Sequence, residues 1–327
     1  MIMRFSDKKI ITCITAFVII ISACVKNKSI APLTPSTSTI SAIVKGGSNI
    51  TIFDSALSKS GLLDTLLNQT GPFTLFLPTD AACLAAGFTD SSVYKMTGDS
   101  LKKFLAYYIY QGGTLKLSDG SFPTEPNHSL PMLIQGDTVF TTFSGGFGYI
   151  NGYLITQSDV IAQNGVIQVL SGLYYPPQGN ILTVIHNDST LSFLDTAIKV
   201  ASNSTAYANL SNLLSNGVYT IFAPTNSAFR LTADSTSAII FNSNPDSIAR
   251  LLQTHIVSSR KFLSNISSTD TLYSISQPQP DSLFVSSLIA FTIQSKGDST
   301  AASFITTNIP ATNGIIHKIS QVLYPYF

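Results

Sequence analysis

The stretch YTIFAPTNSAF at residues 219–229 decides the fold, because a near copy, FTLFLPTDAAC, stands earlier at residues 73–83. Apolar residues before each proline favour a buried strand. Pro78 and Pro224 end those strands, since proline has no N–H to donate. The threonine that follows each proline carries the side-chain oxygen that a helix N-terminus needs. Each stretch therefore predicts a strand, a turn and a helix, and the second helix is expected to start at Ser227.

Two further pairs of stretches repeat in the same order. GDSLKKFLAYYI (98–109) resembles PDSIARLLQTHI (245–256), and NGVIQVLSGLYYP (164–176) resembles NGIIHKISQVLYP (313–325). The first pair lies 147 residues apart, the second 149, and the two prolines of the opening stretches 146. Three landmarks at a nearly constant offset indicate a tandem duplication. The chain of 327 residues has room for two domains of the usual size.

We expect residues 48–177 and 178–327 to form these two domains. Helical patterns come early in each unit, and segments rich in β-formers and turn residues come later, so the predicted class is α+β. Asp99 and Asp246 precede amphipathic stretches and are expected to be helix N-caps. The Asn-Gly pairs at 164–165 and 313–314 predict tight turns with positive φ.

The paired motifs resemble the fasciclin domain in both units. The resemblance implies two β-sheet wedges or sandwiches, each with several helices packed early in the unit, and it implies a role in adhesion. The strand–turn–helix motif matches at Thr74, Phe76, Pro78, Thr79, Asp80, Thr220, Phe222, Pro224, Thr225 and Asn226. The C-terminal motif of the family matches at Asn164, Gly165, Gln168, Asn313, Gly314 and His317. The family's central Tyr-His pair corresponds to Tyr107, Tyr108, Thr254 and His255. The first unit departs from the pattern, with Leu77 for Ala, Cys83 for Phe and Gln168 for His.

The N-terminus reads as a targeting segment. A basic start precedes twelve residues, 10–21, that are mostly apolar, too few for a membrane-spanning helix but typical of a signal peptide. Ile-Ser-Ala-Cys at residues 21–24 resembles a bacterial lipobox, which implies removal of residues 1–23 and lipidation of Cys24; an ordinary signal peptide is the alternative. No aspartate follows Cys24, and this implies the outer membrane. The partner expected for this segment is the membrane, through that lipid.

Residues 24–47 mix Pro, Ser and Thr and predict an extended tether between the lipid and the first domain. After cleavage only Cys24 and Cys83 remain, and Cys24 carries lipid. Cys83 is therefore expected to be a buried apolar residue without a disulfide partner.

Catalytic patterns are missing from the sequence. It holds no HExxH, GxSxG, P-loop or GxGxxG motif and no Cys/His cluster, so no cofactor and no metal are expected. A net charge of +1 gives no sign of the excess of basic residues that is typical of nucleic-acid-binding proteins. We interpret His255 and His317 as buried, hydrogen-bonded core residues rather than catalytic ones. The predicted function is a non-catalytic binding role, with no enzyme activity.

Eleven of the 16 aspartates precede Ser or Thr and then an apolar residue or Thr. This pattern resembles an O-glycosylation sequence of one phylum of Gram-negative bacteria. Thr138, Ser282 and Ser299 lie in expected turns and are the candidate acceptors. The alternative is that these pairs serve as turns and helix caps.

The sequence therefore predicts a lipid-anchored cell-envelope protein that acts in cell-surface adhesion or in attachment to matrix or glycan, with a protein or glycan ligand. The expected location is the outer membrane, facing outward; a periplasmic orientation is the alternative. The alternative function is an accessory or structural subunit of an outer-membrane complex of the nutrient-uptake type.

Overall fold

The computed structural model describes residues 32–34, 37–65, 69–134, 138–232, 240, 242–268, 270–286 and 291–326. Leu33–Phe327 form one compact unit, which contains both halves of the duplication. The predicted signal peptide and Cys24 lie outside the described residues. Within the described part of the chain, every helix is too short or too polar to cross a bilayer.

The first domain combines six helices with a seven-stranded sheet in its described residues. The helices are α1 (Ile40–Gly46), α2 (Thr51–Ser60), α3 (Leu62–Thr65), α4 (Asp80–Ala85), α5 (Asp90–Lys95) and α6 (Gly98–Ala106). The strands are β1 (Phe73–Pro78), β2 (Ile109–Tyr110), β3 (His128–Pro131), β4 (Thr138–Ser144), β5 (Phe147–Ile150), β6 (Tyr153–Ala162) and β7 (Gly165–Leu170). They pair in the order β2-β1-β7-β6-β5-β4-β3, with β1 and β7 parallel and the other pairs antiparallel.

The second domain repeats this arrangement. Its helices are α7 (Ile181–Asn187), α8 (Ser192–Ala201), α9 (Leu210–Asn216), α10 (Asn226–Phe229) and α11 (Pro245–Thr254). Its strands are β8 (Tyr219–Pro224), β9 (Ile256–Ser258), β10 (Thr271–Tyr273), β11 (Ser282–Ser286), β12 (Thr292–Ser295), β13 (Ala302–Ala311) and β14 (Gly314–Ile319). The sheet order β9-β8-β14-β13-β12-β11-β10 matches that of the first domain strand for strand. The predicted α+β class and the tandem repeat are confirmed.

The repeated motif forms the predicted strand, turn and helix in both domains. All six residues of β1 are buried, and five of the six in β8. The Thr79 hydroxyl accepts a hydrogen bond from Ala82 N at 3.2 Å, and the Thr225 hydroxyl accepts one from Ala228 N at 3.3 Å. The second helix starts at Asn226, one residue earlier than expected.

The expectation that Asp99 and Asp246 cap helices is wrong. Helix α6 is capped by Thr97 and helix α11 by Asn244, whose side-chain oxygens accept from the first turns. Both helices begin earlier than the apolar pattern indicates, and Pro245 starts α11 because its fixed φ suits the first helical position. The Asp246 carboxylate instead accepts hydrogen bonds from the loop of residues 204–206.

The predicted tether of residues 24–47 is wrong for its C-terminal part. Thr39 caps α1, and the apolar side chains at positions 40, 43 and 44 of that helix are buried. Farther upstream, Leu33 exchanges two backbone hydrogen bonds with the Gln157 side chain, at 3.0 and 2.6 Å. The i, i+3, i+4 spacing of the apolar residues is the helical signal that the abundant Ser and Thr obscured. The packed structure of the first domain therefore extends upstream of residue 48, to about Leu33.

The two Asn-Gly pairs need glycine for space. Gly314 lies outside the left-handed region of φ, so the predicted positive φ is wrong there, and Gly165 has a φ of +156°, close to extended. A Cβ on Gly165 would lie 2.0 Å from the carbonyl oxygen of Phe73, and one on Gly314 would lie 2.0 Å from that of Tyr219. The parallel strands approach too closely for any side chain.

Candidate functional site

The C-terminal motif of the second domain centres on His317, which is fully buried on β14. Its Nε2 lies 2.9 Å from the carbonyl oxygen of Lys261, and its Nδ1 accepts a hydrogen bond from Asn308 N at 3.3 Å. A carbonyl can only accept, so Nε2 carries the proton. Burial lowers the pKa of His317 to about 4, and the ring is neutral at pH 7. Thr220 completes the arrangement: its hydroxyl donates to Ser259 O and accepts from Lys261 N, both at 2.8 Å.

Gln168 takes the place of this histidine in the first domain. Its Nε2 donates to Leu115 O at 2.6 Å and its Oε1 accepts from Asp159 N at 3.0 Å. The Thr74 hydroxyl donates to Gly113 O and accepts from Leu115 N, as Thr220 does in the second domain. A primary amide has a nitrogen that donates and an oxygen that accepts, and a neutral imidazole likewise has one donor and one acceptor nitrogen. The exchange of His for Gln therefore preserves the hydrogen bonds.

Asp159 and Asn308 belong to the same arrangement, and sequence reasoning missed both. Their φ angles are +59° and +58°, in the left-handed region that Asp and Asn tolerate better than most residues. The Asp159 carboxylate accepts from Leu117 N at 3.0 Å, and the Asn308 amide oxygen accepts from Leu263 N at 2.9 Å. They lie 149 residues apart, the offset of the C-terminal motif, so extending the repeat alignment would have found them.

Residues at the position of the family's central pair also form hydrogen bonds with main-chain groups. His255 Nδ1 donates to Leu251 O at 2.9 Å, and its Nε2 accepts from Leu323 N at 2.8 Å. Burial lowers its pKa to about 4. In the first domain the Tyr108 hydroxyl accepts from Tyr174 N at 2.9 Å and donates to Tyr174 O. Tyrosine and histidine thus hold equivalent main-chain N–H groups in the two domains.

The other two residues at the position of the central pair, Tyr107 and Thr254, are hydrogen-bonded as well. The Thr254 hydroxyl donates to the Asp281 carboxylate at 2.9 Å, and the Tyr107 hydroxyl donates to Thr138 O at 2.7 Å. Both hydroxyls belong to residues that are almost wholly buried. Phe76 and Phe222, the aromatic residues of the central strands, are completely buried too.

Two motif side chains join the repeated stretch to helices earlier in each domain. Asp80 accepts from Ile52 N, and Asn226 accepts from Phe193 N, both at 2.9 Å. These bonds lie at the start of α2 and α8, so neither side chain caps the helix that follows it. Asp and Asn are equivalent for this one bond, because it requires only an acceptor oxygen.

The asparagines of the C-terminal motif accept hydrogen bonds from the first residue of a helix at the start of each domain. Asn164 Oδ1 accepts from Ile40 N, the first residue of α1, at 2.9 Å. Asn313 Oδ1 accepts from Ile181 N, the first residue of α7, also at 2.9 Å. The Asn313 amide nitrogen donates to Leu214 O and Gly217 O as well. These bonds tie the beginning of each domain to its end.

The two domains enclose a cleft of about 280 Å³. Its walls are Tyr107, Thr138, Phe140, Asn151, Pro177, Arg260, Phe262, Pro310, Ala311, Thr312 and Ile315. Direct contacts fix the domains beside it: Asn127 Nδ2 donates to Arg260 O at 2.8 Å, and Asn265 Nδ2 donates to the Thr142 hydroxyl at 2.9 Å. Among the cleft residues, Tyr107 and Ile315 belong to the family motifs.

A model of the fasciclin domain matches residues 48–176 and 195–325. The chain belongs to the fasciclin domain family. Both matched segments carry the repeated motif, so the two fasciclin domains follow one another in tandem. The domain boundaries inferred from the sequence, at 48–177 and 178–327, stay predictions apart from the N-terminal extension to Leu33.

The relatives of these fasciclin domains come from animals and bacteria. Over 185 residues the chain is 30% identical to pig transforming growth factor-beta-induced protein ig-h3, covering 55% of this chain and 25% of the relative. It is 29% identical over 146 residues to protein sll1483 of Synechocystis, covering 44% of this chain and 77% of the relative. Human periostin is 27% identical over 144 residues, with 44% and 16% covered. The chain thus spans about a quarter of the length of the pig protein.

A solved structure is also similar to the chain. It is described as a FAS1 domain pair from the insect cell adhesion molecule fasciclin I, with a novel fold. The TM-score is 0.41 and the sequence identity 16%, and the match covers 84% of this chain and 96% of the other.

Cys83 is a free cysteine in the described part of the fasciclin domains. Cys83 is buried, and burial raises the pKa of its thiol to about 12, so the reactive thiolate is absent at pH 7. Nowhere in the described ranges do three His, Cys, Asp or Glu side chains come together as a metal site requires.

The glycosylation candidates differ in exposure. Ser299 is exposed, whereas Thr138 and Ser282 are half-buried in strands β4 and β11. The aspartate before Ser299 accepts from Tyr324 N and Ser295 N, both at 2.7 Å. The aspartate before Ser282 is buried and accepts from the Ser276 hydroxyl at 2.7 Å. Asp137 lies outside the described residues.

Proposed function

We propose that this fasciclin protein is held at the outer membrane by a lipid on Cys24 and acts without catalysis, in cell-surface adhesion or attachment to matrix or glycan. One observation carries the proposal: the polar side chains that mark the family are occupied in hydrogen bonds that hold the fold. His255 and His317, the side chains best suited to acid–base chemistry, are buried and neutral. The exposed surface is therefore the part of the molecule left for function.

Family membership supports adhesion, and the chemistry of the surface agrees with it. The two domains do not present identical surfaces, because their exposed residues differ. A lipid-anchored protein is present in many copies on one membrane, and weak contacts gain strength when many are made together. Such a protein needs neither a deep pocket nor a catalytic group.

The first experiment tests the anchor and the orientation. Intact cells that express the chain are treated with protease and blotted for the mature protein, beside cells that carry Cys24→Ser. We expect the wild-type chain to fractionate with the outer membrane and to be removed by protease. We expect C24S to leave the membrane fraction. A wild-type chain that survives protease until the outer membrane is broken would contradict surface adhesion.

Adhesion itself is tested with beads that carry the purified full mature chain. We expect them to bind immobilised extracellular matrix or capsular polysaccharide more strongly than beads coated with an unrelated lipoprotein. Equal retention of both bead types on every surface would overturn the adhesion proposal. The chain on the beads carries Cys24→Ser and therefore has no lipid, so this assay does not depend on the anchor.

A second candidate is an accessory subunit of an outer-membrane complex, and an apolar groove on the first domain favours it. The groove has a volume of about 560 Å³ and includes Phe88, Met96, Phe104, Ile134 and Tyr175. Tyr175 is 42% exposed and Ile134 36%. Cross-linking in intact cells followed by purification tests this function: one stoichiometric membrane-protein partner would support it, and recovery of the chain alone would contradict it.

We also propose that Ser299 carries an O-linked glycan. Its exposure and the preceding Asp298 support the proposal. The intact mass of the native protein should exceed that of the lipidated polypeptide, and Ser299→Ala should remove one glycan mass. A native mass equal to the lipidated polypeptide would contradict glycosylation at any site.

A further inference from the structure

Arg260 lies in the cleft between the two domains and has no carboxylate partner among the described residues. It is half-buried, and its Nη2 donates to Ala311 O at 3.3 Å and to Thr312 O at 3.1 Å. Its guanidinium lies over the Phe140 ring, with Cζ 4.1 Å from the ring centroid. The ion pairs found among the described residues do not include Arg260. Its charge is therefore balanced only by carbonyl dipoles and a ring face.

The guanidinium still has donors to offer. Arginine has five N–H groups in a planar fork, and the hydrogen bonds of Arg260 to described residues use only Nη2. Nη1 and Nε remain for a ligand, and carboxylates bind such a fork through two parallel hydrogen bonds. Burial lowers the pKa of Arg260, as expected for a guanidinium that has lost part of its water. An incoming anion would compensate that loss.

The rest of the cleft wall agrees with an anionic ligand. None of its eleven residues is acidic. The Asn151 amide oxygen is used to accept from Phe140 N at 2.9 Å. Its amide nitrogen has no hydrogen-bond partner among the described residues and is a second donor at the cleft. The two donors point to a ligand that accepts hydrogen bonds at more than one place.

The size and the apolar walls restrict the body of the ligand. The cleft has about 280 Å³, at the lower end of the volumes of ligand pockets, roughly 300–1,000 Å³. That space suits one ring-sized unit. Phe140, Pro177 and Pro310 supply apolar surfaces on the cleft wall. The C–H faces of a sugar ring pack on such surfaces, whereas the thin stem of an acidic side chain would leave much of the cleft unfilled.

We propose that this interdomain cleft binds a uronic-acid unit of an acidic polysaccharide, with the sugar carboxylate on the guanidinium of Arg260. The inference rests on the proposed attachment function and names its ligand class. Asn151 donates to a ring hydroxyl or to the second carboxylate oxygen, and the apolar wall of the cleft packs against the sugar face. Both domains contribute, so one domain alone does not form the site.

The test uses the full mature chain and titration calorimetry with D-glucuronate, the probe for the acidic unit. We expect glucuronate to bind in the millimolar range and D-glucose, the neutral ring, to bind about tenfold more weakly or not at all. Arg260→Gln should weaken glucuronate binding by about tenfold or more. Arg230→Gln is the matched control: Arg230 also lies over a phenylalanine ring, that of Phe193, but it is exposed and outside the cleft. It should leave binding unchanged.

Asn151→Asp is a second variant that protects the test against misfolding. Aspartate keeps the oxygen that accepts from Phe140 N and tolerates the φ of +48° at this position. It places a carboxylate beside Arg260, and glucuronate binding should be lost while the thermal unfolding of the chain stays close to wild type.

Several outcomes would overturn the proposal. They are the absence of glucuronate binding, binding of glucose as strong as that of glucuronate, and binding unaffected by R260Q and N151D. Binding of acetate as strong as that of glucuronate would show that the sugar ring is not recognised. A glutamate-containing hexapeptide that binds more tightly than glucuronate would make the ligand an acidic protein segment instead.

The bead assay separates this inference from the adhesion proposal. Beads with R260Q that adhere as well as wild type would overturn the cleft site and leave adhesion standing. Wild-type beads that adhere to nothing, although the chain binds glucuronate in solution, would overturn adhesion and leave the cleft site standing.

Discussion

Gln168 and His317 stand at the same place in the two domains and hold the same two main-chain groups. Each accepts a hydrogen bond from an N–H of the preceding long strand and donates to a carbonyl of the loop after the short edge strand. The position therefore requires a neutral donor and acceptor and makes no use of the charge that an imidazole can carry. Protonation of His317 would replace the acceptor at Nδ1 with a donor that faces another donor.

Replacing this histidine with Gln should make the second domain less sensitive to acid. The pKa of His317 falls from its ordinary value of 6.5 to about 4 in the folded state because the ring is buried. Between those values the unfolded chain binds a proton that the folded chain does not, so stability is full above pH 6.5 and declines as the pH falls towards 4. The decline for one such histidine is about 3 kcal/mol. We expect His317→Gln to unfold within about 1 kcal/mol of wild type at pH 7.5 and to lose about 2 kcal/mol less than wild type at pH 4.5.

Urea unfolding at the two pH values measures this difference. His186 is largely exposed, so His186→Gln is the control and should retain the wild-type loss at low pH. Some acid sensitivity will remain in H317Q because His255 has the same lowered pKa. Equal acid losses in H317Q and wild type would contradict the assignment of His317 as a buried neutral donor and acceptor.

Helix α1 should contribute to the stability of the first domain as a core element. Ile40 is completely buried, and its replacement by Ala should cost about 2–5 kcal/mol of unfolding free energy. Lys45→Ala, on the exposed side of the same helix, removes only a surface ion pair with Asp64 and should change stability by about 0.5 kcal/mol or less. Chemical denaturation of the full mature chain measures both. A neutral I40A would restore the tether interpretation of residues 33–47.

The hydrogen bonds of the Asn313 side chain give a third prediction. Asn313→Ala leaves the N–H of Ile181 and two carbonyl groups without their partner, and should destabilise the second domain by about 2–3 kcal/mol. Hydrogen exchange of the amides at the start of α7 should speed up in the same variant. Asn212→Ala removes an exposed asparagine from α9 and should be within about 0.5 kcal/mol of wild type. Unchanged amide hydrogen exchange at α7 in N313A would show that the Asn313 hydrogen bonds do not stabilise the helix.

The sequence predicts those elements whose signal is local or repeated. The strand before Pro224 and the helix cap at Thr225 follow from side-chain chemistry within a few residues, and the structure has both. The duplication predicts the equivalence of the two sheets, and their strand orders agree. In each case the information lies in short stretches of the sequence or in their repetition.

The rest depends on contacts between distant residues. Asn164 was recognised as a motif residue, but its bond to Ile40 joins positions 124 residues apart, and no local pattern reveals it. The missed helix α1 is stable for the same reason, since seven residues would not remain helical without the domain beneath them. Arg260 has no motif around it, and its importance comes from the cleft that two domains form together.

The close approach of the parallel strands gives the last prediction. Gly314 pairs with Tyr219, and a Cβ there would lie 2.0 Å from the Tyr219 carbonyl oxygen and 2.5 Å from Ile181 Cδ1. The strand cannot move aside without breaking the ladder with β8, so Gly314→Ala should cost about 3 kcal/mol or more. Gly46 is the matched control, because a Cβ there meets nothing within 4 Å and the residue ends α1. Gly46→Ala should be neutral or stabilising by up to about 1 kcal/mol. Thermal unfolding of the two variants decides the point: if G314A were as stable as G46A, close strand packing would not be the reason for glycine in the Asn-Gly motif.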